Sequence, residues 1–163
     1  MPSAKIEEAI RQYGQAEDGT FDDVLLINLC SYISKLHNEI TNEVLKPFEL
    51  NYTSYRGLLA VYAAKDGLLN PSTLSTNCSE SRANITRISD QLVKLGLITR
   101  VPSEDDRRKL VLSITTAGKN RVRKLGPLVW KRLNPAFAVL SRTEKKTLTQ
   151  LLKKQLHGLE AIL

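Results

Sequence analysis

Two alternating segments on either side of a charged hexapeptide constrain the fold of this chain most. Residues 98–115 read ITRVPSEDDRRKLVLSIT, and the tip, SEDDRR, lacks the glycine of most tight two-residue hairpins. In the second segment Leu110, Leu112 and Ile114 occupy every second position, a period of two that indicates a strand. The spacing therefore predicts a hairpin whose two strands cover residues 97–102 and 109–114.

The remaining patterned segments have the period of helices. Apolar residues in residues 22–46 recur at steps of three and four, which places them on one face of a long helix. We interpret the segment KDGLLNP as a break that contains no helix or strand. Three further helices are predicted over residues 53–65, 71–77 and 81–96. A fifth helix is predicted to begin at Thr115 or Thr116, and a sixth at Ser141.

Several helix boundaries have recognisable chemistry. Asn70 is a candidate cap before Pro71, because proline is favoured at the first helical position. Ser141 followed three residues later by Glu144 matches a capping box. Pro127 lacks the amide hydrogen that a helix interior needs, so we expect it to kink or divide the fifth helix.

The order of these elements predicts a winged helix-turn-helix. The short helix at 71–77, a turn at 78–80 and the helix at 81–96 have the lengths of that motif, and a hairpin directly behind them forms the wing. The predicted fold class is mainly α with a small β-hairpin wing. In such modules the second helix of the motif enters the DNA major groove.

The exposed face of the helix at 81–96 has the chemistry of DNA reading. Arginine can bridge the two acceptors of guanine, asparagine can pair with adenine, and hydroxyls reach phosphates or bases. The alternative is an ordinary solvated amphipathic helix. The candidate DNA-contacting residues of this helix are Ser81, Arg82, Asn84, Thr86 and Arg87.

The wing tip adds a second candidate contact. A narrow minor groove concentrates negative potential, and an inserted arginine exploits it. We expect Arg107 or Arg108 to enter the groove while Asp106 or Asp105 holds the neighbouring arginine in position. The alternative is a cluster of surface ion pairs that only stiffens the wing.

Charge and composition bound the function class. Residues 1–50 contain four basic and nine acidic residues, a net charge of −5, whereas residues 51–163 contain twenty and eight, a net charge of +12. A strongly basic remainder suggests a surface for a polyanion. The sequence shows no apolar run of transmembrane length, no signal-peptide core, no ligand spacing for a metal, no cofactor motif and no catalytic constellation, so we expect a cytoplasmic protein that is not an enzyme.

The stretch SESRANITRISDQLVKLGLITRVPSEDDRRKLVLSITTAGK resembles the winged-helix core of MarR-type transcriptional regulators. The wing signature of that family, Asp-Arg-Arg and then Leu/Ile-Thr-x-x-Gly, is matched by Asp106 to Arg108 and by Ile114 to Gly118. The pattern from Ser81 to Leu92 is most similar to the multidrug-efflux repressor branch (EmrR/MprA-like). The resemblance covers about residues 24–160.

The resemblance implies an obligate homodimer on a pseudo-palindromic operator. Its lobes would be a DNA-binding region at 51–118 between helical dimerisation segments at 1–50 and 119–163. The leucine stripe at residues 148–163 also supports a dimer, because it would be exposed in a monomer, and exposed apolar patches usually mark an interface.

The resemblance also implies a ligand cleft for small phenolic or other aromatic anions, and hence a repressor that such a ligand releases from DNA. The candidate ligand residues are Tyr32, Lys35, His37, Tyr52, Tyr55 and Tyr62. For the tyrosines the alternative is core packing. Two rival functions stay open: an oxidation sensor that uses Cys30, and an architectural DNA-binding protein without a ligand response.

Overall fold

The computed structural model describes residue 8 and residues 20–103 and 109–163. Its elements, in chain order, are α1 (Thr20–Leu45), α2 (Tyr52–Ala63), β1 (Leu68–Leu69), α3 (Pro71–Cys78), α4 (Arg82–Lys94), β2 (Ile98–Pro102), β3 (Leu110–Ile114), α5 (Thr116–Ala138) and α6 (Arg142–Glu160). Short 3₁₀ turns at Lys46–Phe48 and Lys65–Gly67 follow α1 and α2. The predicted fold class, mainly α with a small winged sheet, is confirmed.

Capping residues explain where the helices begin. The Asn51 side chain accepts the Ser54 amide hydrogen at 2.9 Å while the Ser54 hydroxyl accepts that of Asn51, so α2 opens with a capping box. The box predicted for α6 is also present, between Ser141 and Glu144. Asn70 does occupy the cap position of α3, but its side chain makes no capping hydrogen bond there.

The sheet has three strands, in the order β1-β3-β2, and both pairings are antiparallel. The predicted hairpin is confirmed, with Arg100 opposite Leu112. Strand β1, which pairs Leu68 with Ser113, lies in the segment that the sequence identified only as a break. A strand of two residues has no period of its own, so it exists because β3 offers it an edge.

The core lies where α2, α4, the sheet and the first half of α5 meet. Each fully buried leucine or isoleucine contributes about 1.5–3 kcal/mol relative to exposure. The largest fully buried side chains among the described residues are Leu45, Leu58, Val61, Leu74, Ile88, Leu92, Leu97, Ile98, Leu112 and Leu125. Because Leu45 and Leu125 belong to this core, the core crosses the predicted boundaries at 50 and 118.

Gly118 fixes the junction between the sheet and α5. Thr115 caps α5 by accepting the Gly118 amide hydrogen at 2.9 Å. A Cβ at position 118 would lie 2.1 Å from the carbonyl oxygen of Leu97, so only glycine fits there. This contact gives a physical reason for the Thr-x-x-Gly pattern behind the wing.

Helix α5 is one continuous helix through Pro127 and Pro135, so of the two alternatives expected at Pro127, a kink or a division, the division is wrong. A proline at 127 leaves the carbonyl of Arg123 without its helical donor. Both Arg123 and Pro127 are exposed, so water can satisfy that carbonyl. The local cost stays below what would break the helix.

The last helix contrasts with this core. Every residue of α6 is exposed, including the leucines of its stripe. Across the described residues, no helix is both long and apolar enough to cross a membrane.

Candidate nucleic-acid interface

The α3–turn–α4 unit is held together by the turn. Ser79 adopts a left-handed conformation with φ of 52°, which ends α3. The Ser75 hydroxyl donates to the carbonyl of Glu80 at 2.6 Å, and the Glu80 amide donates back to the carbonyl of Ser75 at 3.1 Å. Ser81 then caps α4 by accepting the Asn84 amide hydrogen. The start of α4 is therefore a fixed point rather than a frayed end.

Helix α4 separates an apolar face from a polar one. Ile85, Ile88 and Leu92 are buried against α2, α3 and the sheet. The predicted DNA-contacting residues Ser81, Arg82, Thr86 and Arg87 are exposed, and Asn84 is half-buried. The first turn carries no acidic residue.

Two hydrogen-bonded groups organise the polar face. The Thr86 hydroxyl donates to the carbonyl of Arg82 at 3.1 Å. The amide nitrogen of Asn84 donates to a Glu80 carboxylate oxygen, and its amide oxygen accepts from Nε and Nη2 of Arg87 at 3.2 and 2.9 Å. Glu80 was not among the residues predicted from the sequence, because it lies in the turn, although its spacing of four from Asn84 is helical.

An ion pair connects the polar face to the wing. Asp90 accepts from Nη2 of Arg100 on β2 at 2.6 Å. This contact neutralises the one acid expected further along α4, and nothing in the spacing of residues 90 and 100 indicates it. The wing is closed at its base by the Ser103 amide, which donates to the carbonyl of Lys109 at 2.8 Å. The candidate tip residues Asp106, Arg107 and Arg108 lie outside the described residues.

A cavity of about 350 Å³ lies behind the polar face, between α3, α4 and the sheet. Its lining, here named the α3–α4 pocket, consists of Pro71, Ser72, Arg82, Ile85, Thr86, Ser89, Arg100 and Leu112. The Ser89 hydroxyl is buried there and makes no hydrogen bond to any described residue. The pocket thus combines an apolar floor with two guanidinium groups and three hydroxyls.

The predicted ligand residues lie at separate places. On α1, Tyr32 is half-buried, Lys35 pairs with Glu39 at 3.9 Å, and His37 stacks on Phe137 with ring centroids 5.5 Å apart.

The three on α2 differ in burial. Arg56 lies 5.7 Å from the centroid of the Tyr52 ring, and Tyr62 is exposed. Tyr55 belongs to the core, where burial raises the pKa of its hydroxyl.

A cleft of about 530 Å³ lies between α1, the start of α2 and α4. It is lined by Glu39, Asn42, Glu43, Lys46, Glu49, Leu50, Asn51 and Gln91. None of the six predicted ligand residues belongs to this lining, so their role stays a prediction.

Both cysteines are free thiols. Cys30 is half-buried on α1. Burial of Cys78 at the end of α3 raises the pKa of its thiol, and the opposing influence of Arg56 is smaller. Among the described residues no cluster of three or more His, Cys, Asp or Glu side chains could hold a metal ion.

Comparison with known proteins decides the family. The transcriptional repressor MprA of Escherichia coli strain K12 is 35% identical over 144 residues, which cover 88% of this chain and 82% of that protein. The chain belongs to the MarR family. The MarR family model matches residues 50–110, which contain the elements from α2 to β2. Family membership makes the protein a DNA-binding transcription regulator and not an enzyme.

Further MarR-family relatives agree in sequence and in fold. The regulator PrsX of Escherichia coli is 30% identical over 87% of this chain and 86% of its own. A crystal structure of a MarR mutant from E. coli in complex with operator DNA aligns with a TM-score of 0.74 and 25% identity, over 86% of this chain and 99% of that one. AbsC from Streptomyces coelicolor, at 21% identity and a TM-score of 0.76 over 91% and 99% of the two chains, shares the fold.

Proposed function

We propose that the protein is a sequence-specific repressor that binds a pseudo-palindromic operator as a homodimer. The observation that carries this proposal is the polar face of α4, which presents two arginines, two hydroxyls and an amide next to a wing. The relative MprA is named a transcriptional repressor, and a MarR structure contains operator DNA, which supports the same role here. A DNA-binding protein acts where the DNA is, so we place it in the cytoplasm.

The dimer would use the helical segments within residues 1–50 and 119–163, with residues 51–118 as the DNA-binding lobe. The support is the exposed apolar surface of α1 and α6, which includes Ile27, Ile33, Leu152 and Leu156. Water-exposed apolar faces of this extent usually pack against a partner. Two recognition helices related by a two-fold axis would read half-sites about 10–20 base pairs apart.

Selection of bound sites from random DNA tests this function. We expect the selected sites to have two-fold symmetry, and the protein to prefer them over scrambled DNA in a gel shift. An architectural DNA-binding protein would bind both DNAs equally, which would contradict the proposal. Arg87→Ala should weaken binding to the selected site by about 1–3 kcal/mol and affect scrambled DNA much less.

The wing can be tested without knowing its conformation. If Arg107 or Arg108 reads the minor groove, exchanging the A·T pairs beneath the wing for G·C should weaken binding, because that exchange widens the groove. Arg107→Ala should weaken binding and remove most of this sensitivity, and Arg108→Ala serves as the matched comparison. Losses from mutation and base exchange that simply add would contradict groove reading by the wing.

A small aromatic anion is the effector class that we propose for release from DNA. The α3–α4 pocket supports it, because Arg100 and the unpartnered Ser89 hydroxyl can take an anionic or phenolic oxygen while Ile85 and Leu112 contact a ring. This pocket adjoins the polar face of α4, so an occupant would compete with DNA for Arg82 and Thr86.

A hydroxybenzoate series separates this pocket from the six residues predicted on α1 and α2. Ser89→Ala should weaken binding of the released ligand, measured by calorimetry, by about two- to tenfold, the ordinary worth of a hydrogen bond. His37→Ala is the matched control and should change little. The reverse result would favour the residues predicted from the family resemblance.

The oxidation-sensing alternative depends on Cys30. Peroxide treatment should leave operator binding unchanged if the protein responds to a ligand. Loss of operator binding in the wild type but not in Cys30→Ser would favour the redox alternative.

A further inference from the structure

Three side chains across the start of α4 form one hydrogen-bonded chain, which we name the Glu80–Asn84–Arg87 relay. Glu80 accepts from the amide nitrogen of Asn84, and the amide oxygen of Asn84 accepts two N–H groups of Arg87, at 3.2 and 2.9 Å. A carboxylate can only accept and a guanidinium can only donate. An amide between them satisfies both neighbours in a single orientation, so Glu80 determines which way Asn84 points.

Counting donors and acceptors shows what each side chain has left for DNA. An asparagine that reads adenine uses its amide oxygen and one amide hydrogen together. The Asn84 oxygen already accepts two hydrogens from Arg87. Of the five guanidinium hydrogens of Arg87, two are used and three remain, including both on Nη1. The end of the guanidinium can therefore still bridge the two acceptors of a guanine.

The position of Glu80 is itself fixed by the turn. Its backbone is held at both polar groups by Ser75, through the hydroxyl at 2.6 Å and the carbonyl at 3.1 Å. The left-handed residue Ser79 directly precedes it. The carboxylate is thus carried by rigid backbone, which makes it a suitable anchor for a side chain that must be pre-positioned before DNA arrives.

We propose that Glu80 is a specificity-determining positioning residue, which acts through Asn84 to hold Arg87 ready for one guanine, and that Asn84 reads no base itself. This inference rests on the proposed sequence-specific function. It changes the role expected for Asn84, since asparagine can pair with adenine, and it gives a role to an acid at the DNA-facing end of α4. A free carboxylate there would repel phosphate, whereas a carboxylate bound in the relay fixes a cationic reader.

Two substitutions at position 80 separate the hydrogen bond from the charge. Glu80→Ala and Glu80→Gln remove the same negative charge, but glutamine keeps an acceptor for the Asn84 amide. The measurement is equilibrium binding to the selected operator and to variants with each base pair exchanged. Glu80→Ala should reduce discrimination at the base pair that Arg87→Ala identifies by about two- to tenfold, and Glu80→Gln should reduce it less.

The double variant and Asn84→Ala test the coupling. In an Arg87→Ala background, Glu80→Ala should cause no further loss of discrimination. Asn84→Ala should relax only the base pair that Arg87 reads, whereas a direct adenine contact would relax a second one. Relaxation of a second base pair, or equal effects of Glu80→Ala and Glu80→Gln on all sequences, would overturn the relay.

A measurement on the free protein makes the test independent of DNA. Hydrogen exchange of the Arg87 Nε–H, followed by NMR, should be slow in the wild type, faster in Glu80→Ala and intermediate in Glu80→Gln. Unchanged exchange in Glu80→Ala would overturn the inference even where the protein binds DNA. Wild-type protein that binds selected and scrambled DNA equally would instead refute the proposed function.

Discussion

Helices α4 and α6 have the same kind of apolar spacing and opposite surroundings. In α4 the apolar residues Ile85, Ile88 and Leu92 are at most 2% exposed. In α6 the equivalent stripe, represented by Leu148, Leu152 and Leu156, is 43–55% exposed. Periodicity therefore identifies a face that must be covered, but it does not identify what covers it: for α4 the same chain, for α6 by proposal a second copy.

The largest effect should come from placing charge on the stripe of α6. We expect Leu152→Glu with Leu156→Glu to raise the dimer dissociation constant by about 1000-fold or more, because an uncompensated buried charge is strongly destabilising. Sedimentation equilibrium measures this constant. Thr147→Glu with Gln150→Glu adds the same charge on the opposite side of α6 and should leave the dimer intact. If the wild-type protein sediments as a monomer, a second copy does not cover α6, and the proposed difference between the two helices is wrong.

Truncation of a buried side chain in α4 should have a smaller effect, and one of a different kind. Leu92→Ala should lower the free energy of unfolding by about 2–5 kcal/mol, the range for a buried leucine replaced by alanine. This variant should lower the stability of the DNA-binding lobe itself, whereas Leu152→Ala should lower stability by weakening the association of the dimer. Urea denaturation at several protein concentrations tests this, since only stability that depends on association changes with concentration. Failure of Leu152→Ala to weaken the dimer would contradict the comparison.

Replacing glycine by alanine should change the stability of the protein in opposite directions in the two regions. Gly118→Ala places a Cβ 2.1 Å from the Leu97 carbonyl oxygen, and should destabilise the lobe by about 1–3 kcal/mol, as overpacking usually does. At Gly158 in α6 an added Cβ meets nothing within 4 Å. Gly158→Ala should therefore stabilise by about 0.5–1 kcal/mol, because alanine suits a helix interior better. Thermal unfolding of both variants measures the difference.

The smallest effect should come from the cap of α6. The hydrogen bonds from Ser141 lower the pKa of Glu144. A lowered folded-state pKa means that the stabilisation is present above the ordinary glutamate pKa and is lost as pH falls through the folded value. Glu144→Gln keeps a capping box without a titrating group, so its stability difference from the wild type should disappear in acid. A difference that is independent of pH would contradict this account of the cap.

The sequence predicted the elements best where their cause is local. The helix α1, the wing strands and the capping box of α6 follow from neighbours within a few residues, and the structure confirms them. The α6 stripe was also visible, because leucine spacing is a property of the chain alone. Strand β1 was missed, since it depends on an edge supplied by β3. The sequence left open whether Pro127 kinks or divides α5, and the helix is not divided there, since solvent can satisfy the freed carbonyl.

The residues of the candidate site likewise divide into those that local spacing could reveal and those that it could not. Arginine, asparagine and hydroxyl chemistry on α4 could be found from helical spacing, and the Glu80–Asn84 spacing of four residues was a signal that the predicted turn concealed. The contact of Asp90 with Arg100 and the α3–α4 pocket could not be found, because they join residues from different elements.

The sequence by itself determined the winged helix-turn-helix, the basic character of residues 51–163 and the apolar face of α6. These follow from periodicity, composition and capping, which act over one or two helical turns. Only the tertiary structure decided that Asp90 pairs with Arg100, where a pocket forms and why Gly118 must be glycine. Those outcomes depend on the packing of distant segments, here α3, α4, β2 and the Leu97 carbonyl, to within a fraction of an ångström.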